Sequence, residues 1–223
     1  MNTATLWKPE IIENAYKDFI LNQTHPCIMA KALFKTEKYT LKAYKDINRE
    51  KSLQRLMTDL GEYVAQYDFE TKGFQSFIAA FPNNHYEDEL SFEEDLWQAL
   101  QTLHEIDDCE WDPNVSRDPE NPNFSFSLKG RAFYVVGLHP KSSRIARQAP
   151  FPTLVFNLHS QFEKLREMGT YEKVRDTIRA NDKDLQGEIN PVLRDFGTDS
   201  ETKQYSGREV ENSWKCPFHH KNS

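Results

Sequence analysis

Glycine is scarce in this 223-residue chain, with 8 residues against 15 Phe, 9 Tyr and 4 Trp, which excludes collagen-like, low-complexity and linker-dominated architectures. No fixed-period self-similarity runs along it, so a repeat array is excluded as well. The three cysteines, Cys27, Cys109 and Cys216, lie far apart with no CxxC pair, so neither a disulfide framework nor a zinc knuckle is suggested, and reduced thiols are expected. No apolar run approaches the roughly 20 residues of a membrane-spanning helix. The N-terminus has no basic start followed by an apolar block, so a cytoplasmic location without a membrane partner is the expectation. A basic excess is missing too: 28 Lys and Arg stand against 35 Asp and Glu, a net charge of −7, the wrong sign for binding phosphate backbones, and no nucleic-acid partner is expected. The motifs GxSxG, HExxH, Walker A and GxGxxG are all absent.

What is present is enough apolar matter, 38% of the residues, for the core of one domain spanning 1–223. Ile11, Ile12, Ala15, Phe19 and Ile20 share a helical face that ends before Asn22, ahead of Pro26. Leu53, Leu56, Met57, Leu60 and Val64 form a second stripe. Ser91 with Glu94 reads as a capping box opening a helix that carries Phe92, Leu96, Leu100 and Leu103. Helical spacing returns at Phe162, Leu165 and Met168, stops at Gly169, and resumes from Tyr171 to Leu185. Tyr39–Tyr44 and Phe74–Phe81 alternate as strands, and Phe124–Leu128 and Arg131–Val136 flank Lys129-Gly130 as a hairpin, with Thr153–Leu158 as a further strand. The expected fold is therefore α+β: a mostly antiparallel sheet with helices packed on it. The tail 219–223 is expected to be mobile.

Candidate chemistry begins with two histidines, His139 and His159, each following a strand where a rigid sheet presents side chains to loops. Between them Lys141-Ser142-Ser143-Arg144-Ile145-Ala146-Arg147 has three cations, two hydroxyls and no acid, a composition that suits a bound anion or an ordinary basic turn. The stretch Glu87–Glu120 holds thirteen acids and one base, Arg117: either a solvated surface or carboxylates that draw a cationic substrate such as a guanidine. His25-Pro26-Cys27 and Cys216-Pro217-Phe218 each place a thiol beside a proline, where it either packs or ligates soft metal.

These segments, with Cys27–Ala30, Phe124–Ser127, Gly137–Arg144, Phe156–Phe162, Gln186–Pro191, Gln204–Arg208 and Trp214–Phe218, resemble the YqcI/YcgG family, the FPC/CPF-motif proteins, over nearly the whole chain. The first motif departs from Phe-Pro-Cys, since His25 stands in the aromatic position. Members of the family include haem-dependent N-hydroxylases acting on the guanidine of arginine or a related compound. The resemblance thus implies haem b, an unidentified redox partner, and oxygen transfer to nitrogen of a small amine or guanidine substrate. Arg144 and Arg147, with Ser142 and Ser143, would receive the propionates. His159 leads as iron ligand, with Asn157 and Gln161 beside it to orient the ring; His139 serves the distal side or a propionate, and Cys216 or Cys27 are the thiolate alternatives. Two rival readings stand beside this: a non-catalytic haem carrier or sensor, and a cofactor-free stress or binding protein.

Overall fold

The computed structural model describes residues 7–70, 73–211 and 213–221. Apolar steps of three and four become helices and alternating runs become strands. Their order is α1 (Pro9–Lys17), α2 (Ile28–Lys35), β1 (Tyr39–Ala43), α3 (Glu50–Gln66), β2 (Ser76–Ala80), α4 (Glu89–Ile106), β3 (Phe126–Leu128), β4 (Arg131–Leu138), β5 (Thr153–Leu158), α5 (His159–Glu167), α6 (Tyr171–Gln186) and α7 (Thr202–Tyr205). One π-helical turn, Asp18–Asn22, extends α1. The sequence reading of α4 needs one correction: Asp88, not Ser91, is the N-cap, its side chain accepting the Ser91 N–H at 2.8 Å, and Ser91 lies inside the helix as its third residue. The helix starts one turn earlier because a carboxylate suits the positive end of the helix dipole.

One sheet of order β1-β2-β5-β4-β3 holds the fold together, and only β1 and β2 are parallel, so the architecture is α+β with a mostly antiparallel sheet. The hairpin turn places Lys129 and Gly130 at φ of 53° and 69°, the left-handed pair that matches strand twist in a two-residue connection. Alternation then sorts the side chains. Phe77, Phe133, Val135, Leu154 and Phe156 face α3 and α4, joining Leu53, Leu56, Leu60, Leu96 and Leu100 in the larger core. Ile78, Ala80, Leu138 and Val155 face the other way, toward Ile12, Tyr16 and Phe19 of the N-terminal helix and its extension. Helices therefore cover both faces of the sheet. Each fully buried Leu or Phe contributes roughly 1.5–3 kcal/mol; the stripe Leu53–Val64 is core or packed against it, whereas in the first stripe Ile12, Phe19 and Ile20 are buried and Ile11 is exposed.

Helix α7 seats directly on β4 at Gly137. A Cβ there would lie 2.6 Å from Leu96 Cδ1, 2.8 Å from the Tyr205 carbonyl oxygen and 2.9 Å from Phe92 Cε1. The carbonyl belongs to backbone and has little room to retreat. Gly137→Ala is expected to destabilise the fold by about 1–3 kcal/mol in denaturant unfolding, and an unchanged midpoint would contradict the close approach.

The described part of the chain end makes defined contacts. Residues 219–221 are docked on α4: the His219 N–H donates to Gln101 Oε1 at 3.0 Å, Gln101 Nε2 donates to the His219 carbonyl at 3.1 Å, and the Lys221 N–H donates to His104 Nε2 at 3.0 Å. Composition alone hid the polar side chains of α4 that receive it. Residues 222 and 223 of the expected tail lie outside the described residues. No helix among the described residues is long and apolar enough to cross a membrane.

Candidate functional site

The face of the sheet away from α3 and α4 is only partly covered by α1, and the remainder opens into a cavity of about 390 Å³, within the roughly 300–1,000 Å³ of small-molecule sites. Strand alternation builds its floor from Ser76, Ile78, Tyr134, Val136, Val155 and Asn157. The turn His25-Pro26-Cys27 and helices α2, α5 and α6 build its walls. Cys27 is the N-cap of α2, its Sγ accepting the Ala30 N–H at 3.4 Å, and burial raises its thiol above the ordinary cysteine range. His25 does the work of the missing aromatic and adds a polar contact. Its ring meets Phe19 edge-on at 5.0 Å while Nδ1 accepts the Cys27 N–H at 3.2 Å, and burial pushes its pKa down to about 4, so the ring is neutral at pH 7.

The paired-histidine arrangement is overturned. Because β4 and β5 are antiparallel, the residues that follow them in the chain emerge at opposite ends of the sheet. Leu138 lies opposite Thr153, whereas Leu158 lies opposite Phe133, five positions back along β4. At roughly 3.4 Å per residue the two strand ends are about 17 Å apart. They also differ in face. His159 lines the cavity, while His139 is fully buried on the α4 side, its ring stacked on Phe92 at 4.5 Å and edge-on to Tyr86. Both His139 ring nitrogens lack a hydrogen-bond partner among the described residues, and burial holds its pKa down, so it packs as a neutral ring outside the cavity.

The basic loop contributes Arg144 and Arg147 to the cavity lining, but its polar groups are mostly tied to protein partners. Ser142 and Ser143 turn to a carboxylate: Glu89 Oε1 accepts the Ser143 N–H and hydroxyl, each at 2.8 Å, and the Ser142 hydroxyl at 3.4 Å. Arg144 reaches the cavity wall but spends its guanidinium on Asp182 at 2.6 Å and the Glu188 carbonyl at 2.9 Å. Arg147 donates Nη1 to the carbonyls of Gly137 and Tyr205 at 3.0 and 3.1 Å and Nη2 to that of Gln204 at 2.9 Å, so it staples α7 to β4. Among the described residues, the hydroxyls and most guanidinium nitrogens of this loop have protein partners, while the buried Nε of Arg144 has none.

The residues proposed to orient His159 have other partners as well. Asn157 accepts the Ser76 hydroxyl at 2.6 Å and donates to the Tyr134 carbonyl at 3.3 Å. Gln161, buried and outside the cavity lining, clasps the Gln75 backbone at both ends, N–H at 2.6 Å and carbonyl at 2.9 Å. The group that holds His159 is Glu163, one helical turn on, with Oε1 at 3.1 Å from Nε2. Burial lowers the imidazole pKa against the opposing pull of Glu163, and the ring rests against Phe196 at 4.4 Å. Cys216 is buried in the opposite core and pushed up to about 12 by burial, so it is not a cavity ligand.

Several cavity residues gave no signal beforehand. Arg166, Arg175, Arg179 and Arg194 join Arg144 and Arg147, giving six arginines, while the carboxylates in the wall are Asp182, Asp195 and Glu201. Arg175 and Arg179 share Asp195 at 2.7 and 3.0 Å. Their spacing of four residues on α6 beside apolar Val174 and Ile178 was readable as one helix face; its turning toward a cavity was not. The acids of Glu87–Glu120 are all absent from the lining: of the two readings of that stretch, the one in which its carboxylates face a ligand space does not apply to this cavity, and they lie on α4 and the loops flanking it. The cavity is thus a cationic pocket within an acidic chain.

Uncharacterized protein YcgG of Bacillus subtilis (strain 168) is 27% identical over 209 residues, 87% of this chain and 81% of that relative. Uncharacterized protein YqcI of the same organism is 25% identical over 209 residues, covering 86% and 80%. No solved structure matches. The model of the YqcI/YcgG family matches residues 16–219, and the chain belongs to that family.

Proposed function

We propose that this chain is a haem-dependent oxygenase acting on a nitrogen of a small amine or guanidine substrate, with His159 as the iron ligand inside the cavity. One observation carries the reading: a ligand-sized cavity with a largely apolar floor holds a neutral imidazole whose Nε2 is fixed by a carboxylate. A neutral ring with one nitrogen occupied offers the other to a metal, and a carboxylate partner is the usual means of orienting such a ring. Haem b, when bound, supplies the activation of dioxygen or peroxide that side chains lack.

The protein's own contribution is binding and charge. Ile78, Val136, Val155 and Phe162 provide apolar contact for a macrocycle. The arginine excess suits an occupant bearing carboxylates, the haem propionates or the carboxylate of an amino-acid-like substrate; Arg194, whose Nη1 donates to the carbonyls of Pro191 and Leu193, is the exposed member of the set. Cys27 remains the sulfur alternative, as the thiol in the cavity wall.

The test is the visible spectrum of protein produced with ample haem. Haem absorbance is expected in the wild type and in His139→Ala and Cys216→Ala, whose side chains lie outside the cavity. His159→Ala is expected to lose it, and Glu163→Gln to bind haem about tenfold more weakly. Carbon monoxide added to the reduced protein separates nitrogen from sulfur ligation. A wild type without haem absorbance, or a His159→Ala protein with the wild-type spectrum, overturns the reading. Turnover of a guanidine with a reductant distinguishes an oxygenase from a carrier.

A further inference from the structure

Among the described residues, buried carboxylates are matched with cations or backbone N–H groups, with one departure. Glu93 pairs with Arg208 at 2.9 Å, Asp182 with Arg144 at 2.6 Å and Asp107 with Lys129 at 3.2 Å, while Asp112 accepts the N–H groups of Ala132 and Asn114, both at 3.0 Å. Glu201 has none of these. It is 4% exposed, lines the cavity, and bonds to the phenol of Tyr205, which is fully buried. An ionised carboxyl taken out of water without a cation is costly, and the acid form escapes that cost.

The surroundings accommodate both protonation states. The Tyr205 oxygen accepts the Phe126 N–H at 3.1 Å, and the Phe133 carbonyl lies 3.4 Å from it. A hydroxyl has one proton and two lone pairs. With Glu201 protonated, its O–H donates to the second lone pair of Tyr205, and the Tyr205 proton points to the Phe133 carbonyl. With Glu201 ionised, the Tyr205 proton turns to the carboxylate, and the Phe126 bond is unchanged. One rotation about the phenol C–O bond separates the two states, and neither strands a buried donor.

We propose that Glu201 and Tyr205 form a proton switch in the cavity wall: the Glu201 carboxyl holds an exchangeable proton at neutral pH and presents it to a basic oxygen or nitrogen of whatever the cavity binds. The only covalent change at the protein is the O–H bond of Glu201, whose electron pair stays on the carboxylate as the proton passes to the occupant; water in the cavity returns the proton afterwards. This concerns the cavity of the haem reading but does not depend on what occupies it.

Groups facing Glu201 come from four elements. Tyr205 of α7 stabilises the anion by hydrogen bonding; the buried hydroxyl of Ser125, just before β3, is near enough to favour the anion but forms no hydrogen bond among the described residues; Arg166 of α5 favours it through its charge; and Tyr134 of β4, whose hydroxyl donates to Gln204 Oε1 at 3.0 Å, lies close enough to interact. Against all of these, burial dominates and pushes the Glu201 pKa up to about 8.

Infrared spectroscopy of the intact protein tests this without any ligand. The wild type is expected to show a protonated-carboxyl stretch at pH 6 that is absent from Glu201→Gln, titrates away with a midpoint near 8, and shifts within seconds of transfer into D2O because the acid opens on the cavity. Tyr205→Phe removes a donor to the anion and should raise the midpoint by about one pH unit. Ser125→Ala, a milder change, should raise it by less. Should Tyr205→Phe fail to fold, the wild type, Glu201→Gln and Ser125→Ala still decide the matter. No difference between wild type and Glu201→Gln at pH 6, or a band that exchanges only on unfolding, overturns the proposal: the first denies the proton, the second denies its access.

Discussion

Arg147→Ala is expected to lower unfolding stability by about 3–5 kcal/mol, the largest loss from any single truncation outside the apolar core. The guanidinium is buried and donates to three backbone carbonyls, of Gly137, Gln204 and Tyr205. Removing it leaves those carbonyls without this donor where water is scarce, at about 1–3 kcal/mol for each unsatisfied group, offset in part because a buried charge is removed as well. Arg147→Lys should recover little, since one ammonium on a flexible stem does not reproduce a planar fork that spans two chain segments. Denaturant unfolding with an unchanged m-value is the measurement. A loss below about 1 kcal/mol would show that the carbonyls find other partners and that the staple is unnecessary. Arg147 lines the cavity, yet its guanidinium is held by backbone carbonyls. A guanidinium this well satisfied by backbone is a structural part, whatever lies beside it.

The second large effect is in the pH dependence of stability. Glu201 titrates at about 8 when folded, against an ordinary value of 4.5. A raised folded pKa contributes stability that is fully present below the unfolded value and is lost as pH rises through the folded one. Between about pH 4.5 and 8 the unfolded chain has released the proton and the folded chain has kept it, so the wild type loses about 1.4 kcal/mol per pH unit from this group. Glu201→Gln has no proton to lose. Its stability relative to the wild type should therefore climb by several kcal/mol between pH 5 and pH 8 and level off above. Comparing the two proteins matters because buried histidines act in the opposite direction. His25 and His104 are both held down to about 4 by burial, so they destabilise the fold as pH falls from the ordinary histidine range toward 4. These groups are shared by both proteins and cancel in the difference. A difference independent of pH would sink the assignment of a protonated Glu201.

How much was legible depends on the range of the interaction. The stripes Leu53–Val64 and Phe92–Leu103, the alternation of Thr153–Leu158 and the Lys129-Gly130 turn correspond to observed elements, because each is written within a dozen residues. Helix α2 was missed, since Ile28–Lys35 is short and is announced only by a cysteine cap in place of Ser, Thr or Asp. The cap of α4 was misplaced by one turn because Asp88 and Ser91 are both good caps and local sequence does not rank them. At the site, His159 and Cys27 do line the cavity, and Asn157 lies in its floor. His139 failed for a geometric reason: two histidines after consecutive strands converge only if those strands are parallel, and an antiparallel pair sends them to opposite ends.

The amino-acid sequence by itself determined the class of this protein, α+β with most strands antiparallel, the positions of nearly all its elements, and its family. Those properties rest on periodicity, turn chemistry and blocks of adjacent residues. Tertiary structure alone decided which polar groups share a space. The register of β4 on β5 separated His139 from His159, the packing of α7 used up Arg147, and the folding of residues 190–205 back over the sheet brought Glu201 and Asp195 to the cavity. The physical reason is that a charged or hydrogen-bonding side chain has no preferred partner along the chain. Its role is set by whichever groups desolvate it and satisfy it, and these come from segments tens of residues away.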